Sequence, residues 1–371
     1  MDDVGGLVRW RSGTVVRLGR RWRGALELTV LTGGPGGVEV PALAYPQLVG
    51  EPVVGDRVLL TVGPLERALG TGGHALVAAV PDRLPDDCQP APGHLVKARY
   101  TPLQPMVLGA DEQDSPHHDL LRDADSLDAM PVVTADLHSS LPAVLAGIRA
   151  LAPDARVAYV LTDGGALPAW YSRTLAGLRD ASWLVGSVSV GQAFGGDLEA
   201  VTVHTGLLAA RQVLSADVAV VIQGPGNLGT GTRWGFSGVA CGEAVNAAAV
   251  LGGRPVAALR ISSADPRERH RGVSHHSLTA YGRVALAPAD VVVPLLPGDF
   301  GAGVRAQAAA LGPPQGRHRL VEVATDGLDA ALRTSPVRLT TMGRGLDDDP
   351  AAFVAAAAAG RHAASLLASA N

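Results

Sequence analysis

The sequence predicts an α/β protein, with a small amino-terminal β-barrel followed by a three-layer α/β domain that has a mostly parallel sheet. Two observations predict this. Residues 8–82 consist of short segments rich in Val, Leu and Thr separated by glycine turns, and from Met130 apolar segments alternate with helical ones. We therefore expect two domains: residues 1–92 as a barrel-like domain and 93–371 as a Rossmann-like α/β domain.

The amino-terminal region has the pattern of five strands. Several short strands at close spacing indicate a small barrel or sandwich. A proline-rich segment at 84–93 follows and is typical of a linker. The five predicted strands are 14–18, 25–31, 38–43, 57–62 and 75–80.

The remaining chain has continuous apolar strands joined by helices, which predicts a parallel sheet covered on both faces. The strands are predicted at 131–134, 156–161, 183–190, 217–222, 255–261, 291–295 and 320–324, and helices at 141–151, 198–214 and 242–251. A last helix follows Asp349, whose side chain suits the N-cap, and Pro350 suits the first helical position. Its alanine-rich sequence is interrupted by Arg361 and His362, so we interpret it as a buried or docked helix and not as a membrane span.

Composition excludes several classes of protein. Hydrophobic residues make up 47% and charged residues 18%, which permits a large core and argues against disorder. The net charge of -4 argues against a nucleic-acid or membrane-surface partner. The two cysteines, Cys88 and Cys241, cannot form a disulfide framework, and no signal-peptide run begins the sequence. We therefore expect reduced thiols and a cytoplasmic location.

Lys97 is the only lysine, and arginine supplies the other positive charges. A lysine can serve as a compact or titratable donor, which arginine cannot. The residue is therefore a candidate for binding negative charge, although a chance survivor of an arginine-rich composition explains it equally well.

Ligands bind at the carboxyl ends of parallel strands, so the residues after each strand are the candidate site. His138 and Ser139 follow the first strand of the predicted parallel sheet, 131–134. The histidine is a candidate base or ligand, and the serine is a candidate ligand-binding group or helix cap. Asp163 and Gly164 follow the second strand, and Asp197 follows the third. Each aspartate can bind a hydroxyl group or cap a tight turn.

The fourth strand precedes a glycine-rich segment, 224–238. Backbone amides in such a loop can approach an anion closely, whereas the alternative is a purely structural turn. The match to a dinucleotide fingerprint is weak, since the acid expected about 20 residues later is absent. The candidate residues of the loop are Gly224, Gly226, Gly229, Thr230, Gly231 and Thr232.

The fifth strand precedes a segment with arginines beside several imidazoles, 262–276. Arg271 there suits a carboxylate or phosphate, and His275 and His276 are candidate bases or metal ligands. Their spacing matches no known zinc signature, and a solvated polar loop is the alternative. His117 and His118 are further metal candidates in a charged loop. Arg344, just before the last helix, could reach an anionic ligand.

Several of these segments together resemble the domain of unknown function 3866 family. That resemblance implies no activity, because the family has none assigned. One departure is Ser140, where the family pattern leads us to expect Met or Leu, so a role is better placed on Ser139. The matching segments are 93–104, 112–118, 137–139, 162–168, 194–197, 224–238, 264–279 and 341–345.

The sequence therefore predicts an enzyme, a hydrolase or group transferase, that acts on a phosphorylated or carboxylated small molecule, with a divalent metal possible as cofactor. His138, His275 and His276 are expected to transfer protons or bind metal, and Asp163 and Asp197 to orient them or bind a hydroxyl group. Serine chemistry is less favoured, since Ser237 does not lie in a G-x-S-x-G elbow. The alternatives are a non-catalytic metabolite-binding or regulatory protein, and a fold in which the glycine turns are only structural. The oligomeric state is not predicted.

Overall fold

The computed structural model describes residues 6–34, 36–70, 72–87 and 91–368. Its internal contacts divide the chain into two units. The first contains the described residues up to Pro92 together with Ala98–Pro105, and the second contains Gly93–Lys97 and the described residues from Met106 onward. Cys88, expected to be a reduced thiol, lies outside the described residues.

Five strands of the first unit close into a barrel in the order β1-β2-β3-β5-β4. This confirms the predicted barrel. The strands are β1 (Trp10–Trp22), β2 (Ala25–Thr32), β3 (Val38–Ala44), β4 (Arg57–Thr61) and β5 (Ala75–Ala79), with short helices α1 (Pro46–Val49) and α2 (Gly63–Glu66).

The barrel interior is filled by alternating apolar side chains, among them Leu28, Val30, Val58 and Leu60. Strand β1 is longer than the predicted 14–18 because its first half pairs with β4 while its second half continues along β2. Pairing with β2 and β4 satisfies the backbone hydrogen bonds of the additional β1 residues, although their composition does not indicate a strand.

The second unit contains an eight-stranded sheet in the order β11-β10-β9-β12-β8-β13-β16-β17, in which all neighbouring strands are parallel. This confirms the predicted α/β class. The sheet strands are β8 (Pro131–Thr134), β9 (Val157–Thr162), β10 (Gly186–Ser189), β11 (Leu198–Glu199), β12 (Val218–Gln223), β13 (Arg254–Ala258), β16 (Asp290–Pro294) and β17 (Arg319–Val323). Outside this sheet, three two-stranded pairs are formed by β6 (Leu95–Val96) with β7 (Met106–Val107), β14 (Ile261–Ser262) with β15 (Gly272–Val273), and β18 (Thr340–Thr341) with β19 (Arg344–Gly345).

Helices cover both faces of the sheet. They are α3 (His118–Leu121), α4 (Leu141–Leu151), α5 (Arg173–Asp180), α6 (Val203–Leu208), α7 (Ala240–Val250), α8 (His275–Thr279), α9 (Gly298–Ala308), α10 (Leu328–Arg333) and α11 (Pro350–Ala368). Single 3₁₀ turns lie at His138–Ser140, Ala169–Tyr171, Ser237–Val239, Glu268–His270 and Ala309–Leu311, and π-helical segments at Ala209–Val213 and Ala280–Val284.

Alternate residues of the strands enter different cores, as expected for a sheet buried on both faces. Val133, Tyr159 and Val220 pack against α4, α5, α10 and α11. Val132 and Val160 point the other way, toward α6 and α7. Helix α11 is long and apolar enough to cross a membrane, but two thirds of its apolar window is buried inside the protein. Its packing confirms the predicted buried helix.

Two predicted elements have different bounds in the structure. The predicted helix 198–214 is wrong at its start, since Leu198–Glu199 pairs with β10 as an edge strand and the helix begins at Val203, after Thr202 caps it. The predicted strand 255–261 ends at Ala258, because the chain leaves the sheet before β14. Arg260 lies in that break, next to the candidate site.

The connections between strands create two crevices at the carboxyl edge of the sheet. The chain runs from β8 through β9 and β10 to β11 in one direction, and from β12 through β13 and β16 to β17 in the other. The connections that leave the neighbours β8 and β13 therefore diverge, and so do those that leave β9 and β12. Such points of divergence are where open parallel sheets bind ligands.

Candidate functional site

The crevice between β8 and β13 holds a buried ion pair. Asp136 follows β8 and is 3% exposed, and Arg260 follows β13. The Arg260 Nη1 lies 3.4 Å from the Asp136 Oδ2. Burial opposes ionisation of this carboxyl group, but hydrogen bonds and charge from His276 and Arg260 outweigh it and lower the pKa of Asp136. The pair therefore carries a fixed carboxylate and a fixed guanidinium at the end of the sheet.

Three histidines lie together beside this pair. One nitrogen from each of His270, His275 and His276 lies within 4.8 Å of the others. The His276 ring stacks on Phe236 with centroids 3.8 Å apart, and its Nδ1 lies 3.5 Å from Asp136 and 3.2 Å from Arg260. We call His270, His275 and His276 the histidine cluster.

Local structure explains how the chain assembles the cluster. The β14–β15 hairpin returns the chain to the sheet edge after β13, and Gly272 allows the return with a φ of 67°. Helix α8 then begins at His275, where the Ser274 hydroxyl accepts a hydrogen bond from the His276 backbone amide. The same hydroxyl lies 2.8 Å from the Nδ1 of His270. One serine thus positions two of the three histidines.

The environment keeps two of the imidazoles neutral. Burial, followed by the charge of Arg260, lowers the pKa of His270 to about 3. Burial, followed by His276, lowers the pKa of His275 to about 4. Among the described residues, the Nε2 of His275 is buried without a hydrogen-bond partner. At neutral pH these rings can therefore accept a proton or coordinate a metal ion.

An open cleft adjoins the ion pair and is lined in part by Arg260 itself. The empty space in and around the cleft measures about 390 Å³, which includes solvent outside it. Other lining residues are Ser139, Leu259, Ser262, Thr341, Arg344 and Asp349. Arg260 is thus shared between the cleft and the histidine cluster.

Buried carboxylates hold the second arginine of the cleft. The Arg344 Nε lies 3.1 Å from Asp349, and its Nη2 lies 3.3 Å from Asp265. We expected the Asp349 side chain to cap α11, but its carboxylate accepts hydrogen bonds from Ser262 and Ser263 and faces Arg344. The carboxylate therefore anchors the cleft wall.

The structure brings several predicted residues to this crevice. Ser139 and Arg344 line the cleft, and the Ser139 hydroxyl donates to Thr341 over 2.9 Å. His275 and His276 belong to the histidine cluster. Arg271 is exposed, directly after His270 in the chain.

His138 is placed elsewhere. Its ring is buried, with Nδ1 3.1 Å from the Tyr159 hydroxyl and Nε2 2.7 Å from the Ser172 hydroxyl, and burial lowers its pKa to about 4. Ser172 also caps α5 by accepting from the Leu175 amide. Both ring nitrogens are thus engaged within the protein, which favours a structural role over the catalytic one that we predicted.

The glycine-rich loops meet at the second crevice, between β9 and β12. A Cβ atom at Gly164 would overlap the Gln223 side chain, and one at Gly165 would overlap the Gly224 carbonyl. The Ala166 amide donates to the Pro225 carbonyl across the same contact. Close packing of two loops therefore accounts for these glycines without an anion.

Most of the remaining 224–238 loop is exposed to solvent. Gly226 and Gly231 have positive φ angles of 91° and 80°. Gly229 forms a bridge to Phe236, and the Thr230 and Thr232 hydroxyls lie 3.1 Å apart on an exposed turn. Asp163 accepts a hydrogen bond from the Gln192 backbone amide. These residues line a neighbouring part of the carboxyl edge.

Lys97 and Asp197 are taken up by protein partners. The Lys97 ammonium is buried, donates to the carbonyls of Ala193 and Ala200, and lies 3.7 Å from the Glu199 carboxylate. Burial lowers the pKa of Lys97 and raises the pKa of Glu199 to about 7. The Asp197 carboxylate accepts from the Ser187 amide and hydroxyl and pairs with Arg179. All these contacts brace the β10–β11 edge.

The other predicted metal ligands do not join the histidine cluster. His118 directs its Nδ1 to the Asp111 carbonyl at 2.8 Å. Among the described residues, the side chains close enough to share a metal ion include His275 and His276 but neither His117 nor His118.

Sequence reasoning gave too little weight to four residues of the crevice: Asp136, Phe236, Arg260 and His270. A signal existed for Arg260, because a charged residue inside an apolar run marks the end of a buried strand. The partnership of Asp136 with Arg260 had no such signal, since 124 positions separate them.

Comparison with known families gives one match. A family model described as a protein of unknown function (DUF3866) matches residues 41–360. That range includes all residues of the cleft and of the histidine cluster. A search of curated proteins found no match.

Proposed function

This chain belongs to the DUF3866 family, and we propose that it is an enzyme, a hydrolase or group transferase, that acts on a small anionic molecule at the carboxyl ends of β8 and β13. The position of Arg260 carries this proposal. Its side chain lines the open cleft and also lies 3.2 Å from the Nδ1 of His276. An anion-binding group and candidate proton-transfer groups therefore lie side by side, as acid–base catalysis requires.

The cleft suits a carboxylate or a phosphate. Arg260 and Arg344 supply guanidinium groups, and Ser139 lies on the same wall. A guanidinium has five N–H donors, and the contacts of Arg344 with Asp265 and Asp349 engage its Nε and one terminal nitrogen. The aspartates thus fix the arginine and leave donors for a ligand, which lowers the ordering cost of binding.

The histidine cluster supports proton transfer. His275 and His270 are neutral at pH 7 because burial lowers both pKa values. The unengaged Nε2 of His275 can accept a proton when no metal ion occupies it, although a pKa of about 4 makes it a weaker base than a free imidazole. His275 is partly exposed as a residue, while its Nε2 atom is buried.

The alternative is a non-catalytic metabolite-binding or regulatory protein. One observation favours it. Three residues expected to act on a substrate, His138, Lys97 and Asp197, are engaged by protein groups. A sensor needs complementary contacts alone, whereas an enzyme also needs a proton-transfer group near the bound ligand.

The first prediction concerns anion binding. Inorganic phosphate or succinate should raise the unfolding temperature of the protein, and Arg344→Gln should abolish that rise because it removes one guanidinium from the cleft. A ligand at 100 times its dissociation constant adds about 2.7 kcal/mol to the free energy of unfolding. Thermal unfolding across a ligand titration measures the effect.

Arg122→Gln is the matched control, since Arg122 is an exposed arginine that pairs with Asp119 and Asp123. Equal stabilisation of the wild type and Arg344→Gln would reject the cleft as the binding site. Hydrolysis of p-nitrophenyl phosphate then separates the two functions. Turnover that His275→Gln removes supports an enzyme, and anion binding without turnover of this ester favours the binding protein.

A further inference from the structure

We propose that His270, His275 and His276 form a site for a divalent transition metal of the zinc type. The three histidines come from one segment, and one nitrogen of each lies within 4.8 Å of the others. Imidazole nitrogens suit zinc, copper, iron and nickel, and three protein ligands are the usual set of a catalytic zinc site.

Their hydrogen bonds identify the nitrogen that each ring offers. The Nδ1 of His270 faces the Ser274 hydroxyl, and the Nδ1 of His276 faces both Arg260 and Asp136. The Nε2 of His275 is buried and has no hydrogen-bond partner in the described part of the chain. The three Nε2 atoms are therefore the available ligands. A buried nitrogen without a partner calls for an explanation, and a metal ion provides one.

The surroundings match what metal-bound histidines require. Such histidines donate their other ring N–H to a carboxylate, a carbonyl or a similar acceptor, which fixes the ring orientation. The Asp136 carboxylate lies 3.5 Å from the Nδ1 of His276 and can accept its N–H once the Arg260 Nη1, which lies 3.2 Å from the same nitrogen, turns away. Ser274 is the acceptor for His270 at 2.8 Å. Stacking on Phe236 further fixes the His276 ring. Two of the three ligands are thus held in place by partners that are not ligands themselves.

Geometry and charge set the demands on this site. Zinc–nitrogen bonds of about 2.0–2.1 Å in a tetrahedral site place the nitrogens roughly 3.4 Å apart, so the rings must approach by small rotations. The positive charge of Arg260 opposes a cation, whereas the buried carboxylate of Asp136 offsets it. Metal binding selects the tautomer in which His276 donates its Nδ1–H to Asp136. Three ligands leave a coordination position for water or an anion.

Direct metal binding tests the proposal without reference to catalysis. Protein prepared without a histidine tag and stripped with a chelator is titrated with Zn²⁺ against a chromophoric chelator. We expect one equivalent to bind with a dissociation constant on the order of 1 µM or lower. Co²⁺ should produce the visible absorption bands of a tetrahedral site.

His275→Gln should weaken Zn²⁺ binding by at least about 100-fold, because it removes one ligand and keeps a polar side chain of similar size. His275 is partly exposed, so this variant should fold, and circular dichroism checks that it does. Asp136→Asn should weaken binding about 10- to 100-fold through the His276 ring. The exposed His204→Gln is the matched control and should bind as the wild type does.

Two results would overturn the proposal: substoichiometric binding to the wild type, or equal affinity in the wild type and folded His275→Gln. Because the measurement is of binding alone, it stands or falls separately from the hydrolase or transferase activity proposed above.

Discussion

His138 follows β8 of the parallel sheet and His275 follows β15 of the β14–β15 hairpin, and their surroundings differ. His138 directs both ring nitrogens to hydroxyl groups, while the Nε2 of His275 has no partner among the described residues. Ser172, which engages His138, lies 34 positions away along the chain. The sequence could therefore show that both histidines stand at strand ends, but not which ring other elements would enclose.

His138→Ala should destabilise the protein and leave metal binding unchanged. The substitution leaves the buried hydroxyls of Tyr159 and Ser172 without their imidazole partner, which costs about 1–3 kcal/mol. Denaturant unfolding measures the loss. The exposed His204→Ala should change stability by less than about 0.5 kcal/mol. A His138→Ala protein of wild-type stability that had lost Zn²⁺ affinity would place His138 in the site instead.

At the scale of elements, helices α4 and α11 pack closely because each has a glycine at their contact. A Cβ atom at Gly147 would overlap the Ala357 carbonyl, and one at Gly360 would overlap the Val144 carbonyl. This contact packs the alanine-rich α11 into the core. Apolar composition predicted both helices. Strand β11 was missed, because its two residues form a strand only through their pairing with β10.

Gly147→Ala should therefore destabilise the fold although alanine is the better helix former. Overlap with a backbone carbonyl forces the two helices apart, at a cost of about 1–3 kcal/mol. Gly303→Ala is the matched control, since Gly303 lies in α9 and no atom of the described residues is within 4 Å of the position of a Cβ there. That change should stabilise the protein by up to about 1 kcal/mol. Equal effects of the two substitutions on the unfolding midpoint would contradict the packing described.

For the molecule as a whole, strand order decides which loops meet. The α/β class, the barrel and seven of the sheet strands could be predicted, because each depends on local apolar patterns. The order of the strands depends on contacts between distant segments, so the neighbouring positions of β8 and β13 could not be predicted. That neighbourhood joins Asp136, Arg260 and the histidine cluster, while the glycine loops gather between β9 and β12.

The most direct test of this account is a crystal structure of the protein soaked with Zn²⁺ and inorganic phosphate. We predict an anomalous zinc peak about 2.0–2.1 Å from a nitrogen of each of His270, His275 and His276. Phosphate density should lie in the cleft within hydrogen-bond distance of Arg260 or Arg344. A zinc peak at His117 and His118, or phosphate on the 224–232 loop with the β8–β13 crevice empty, would contradict it.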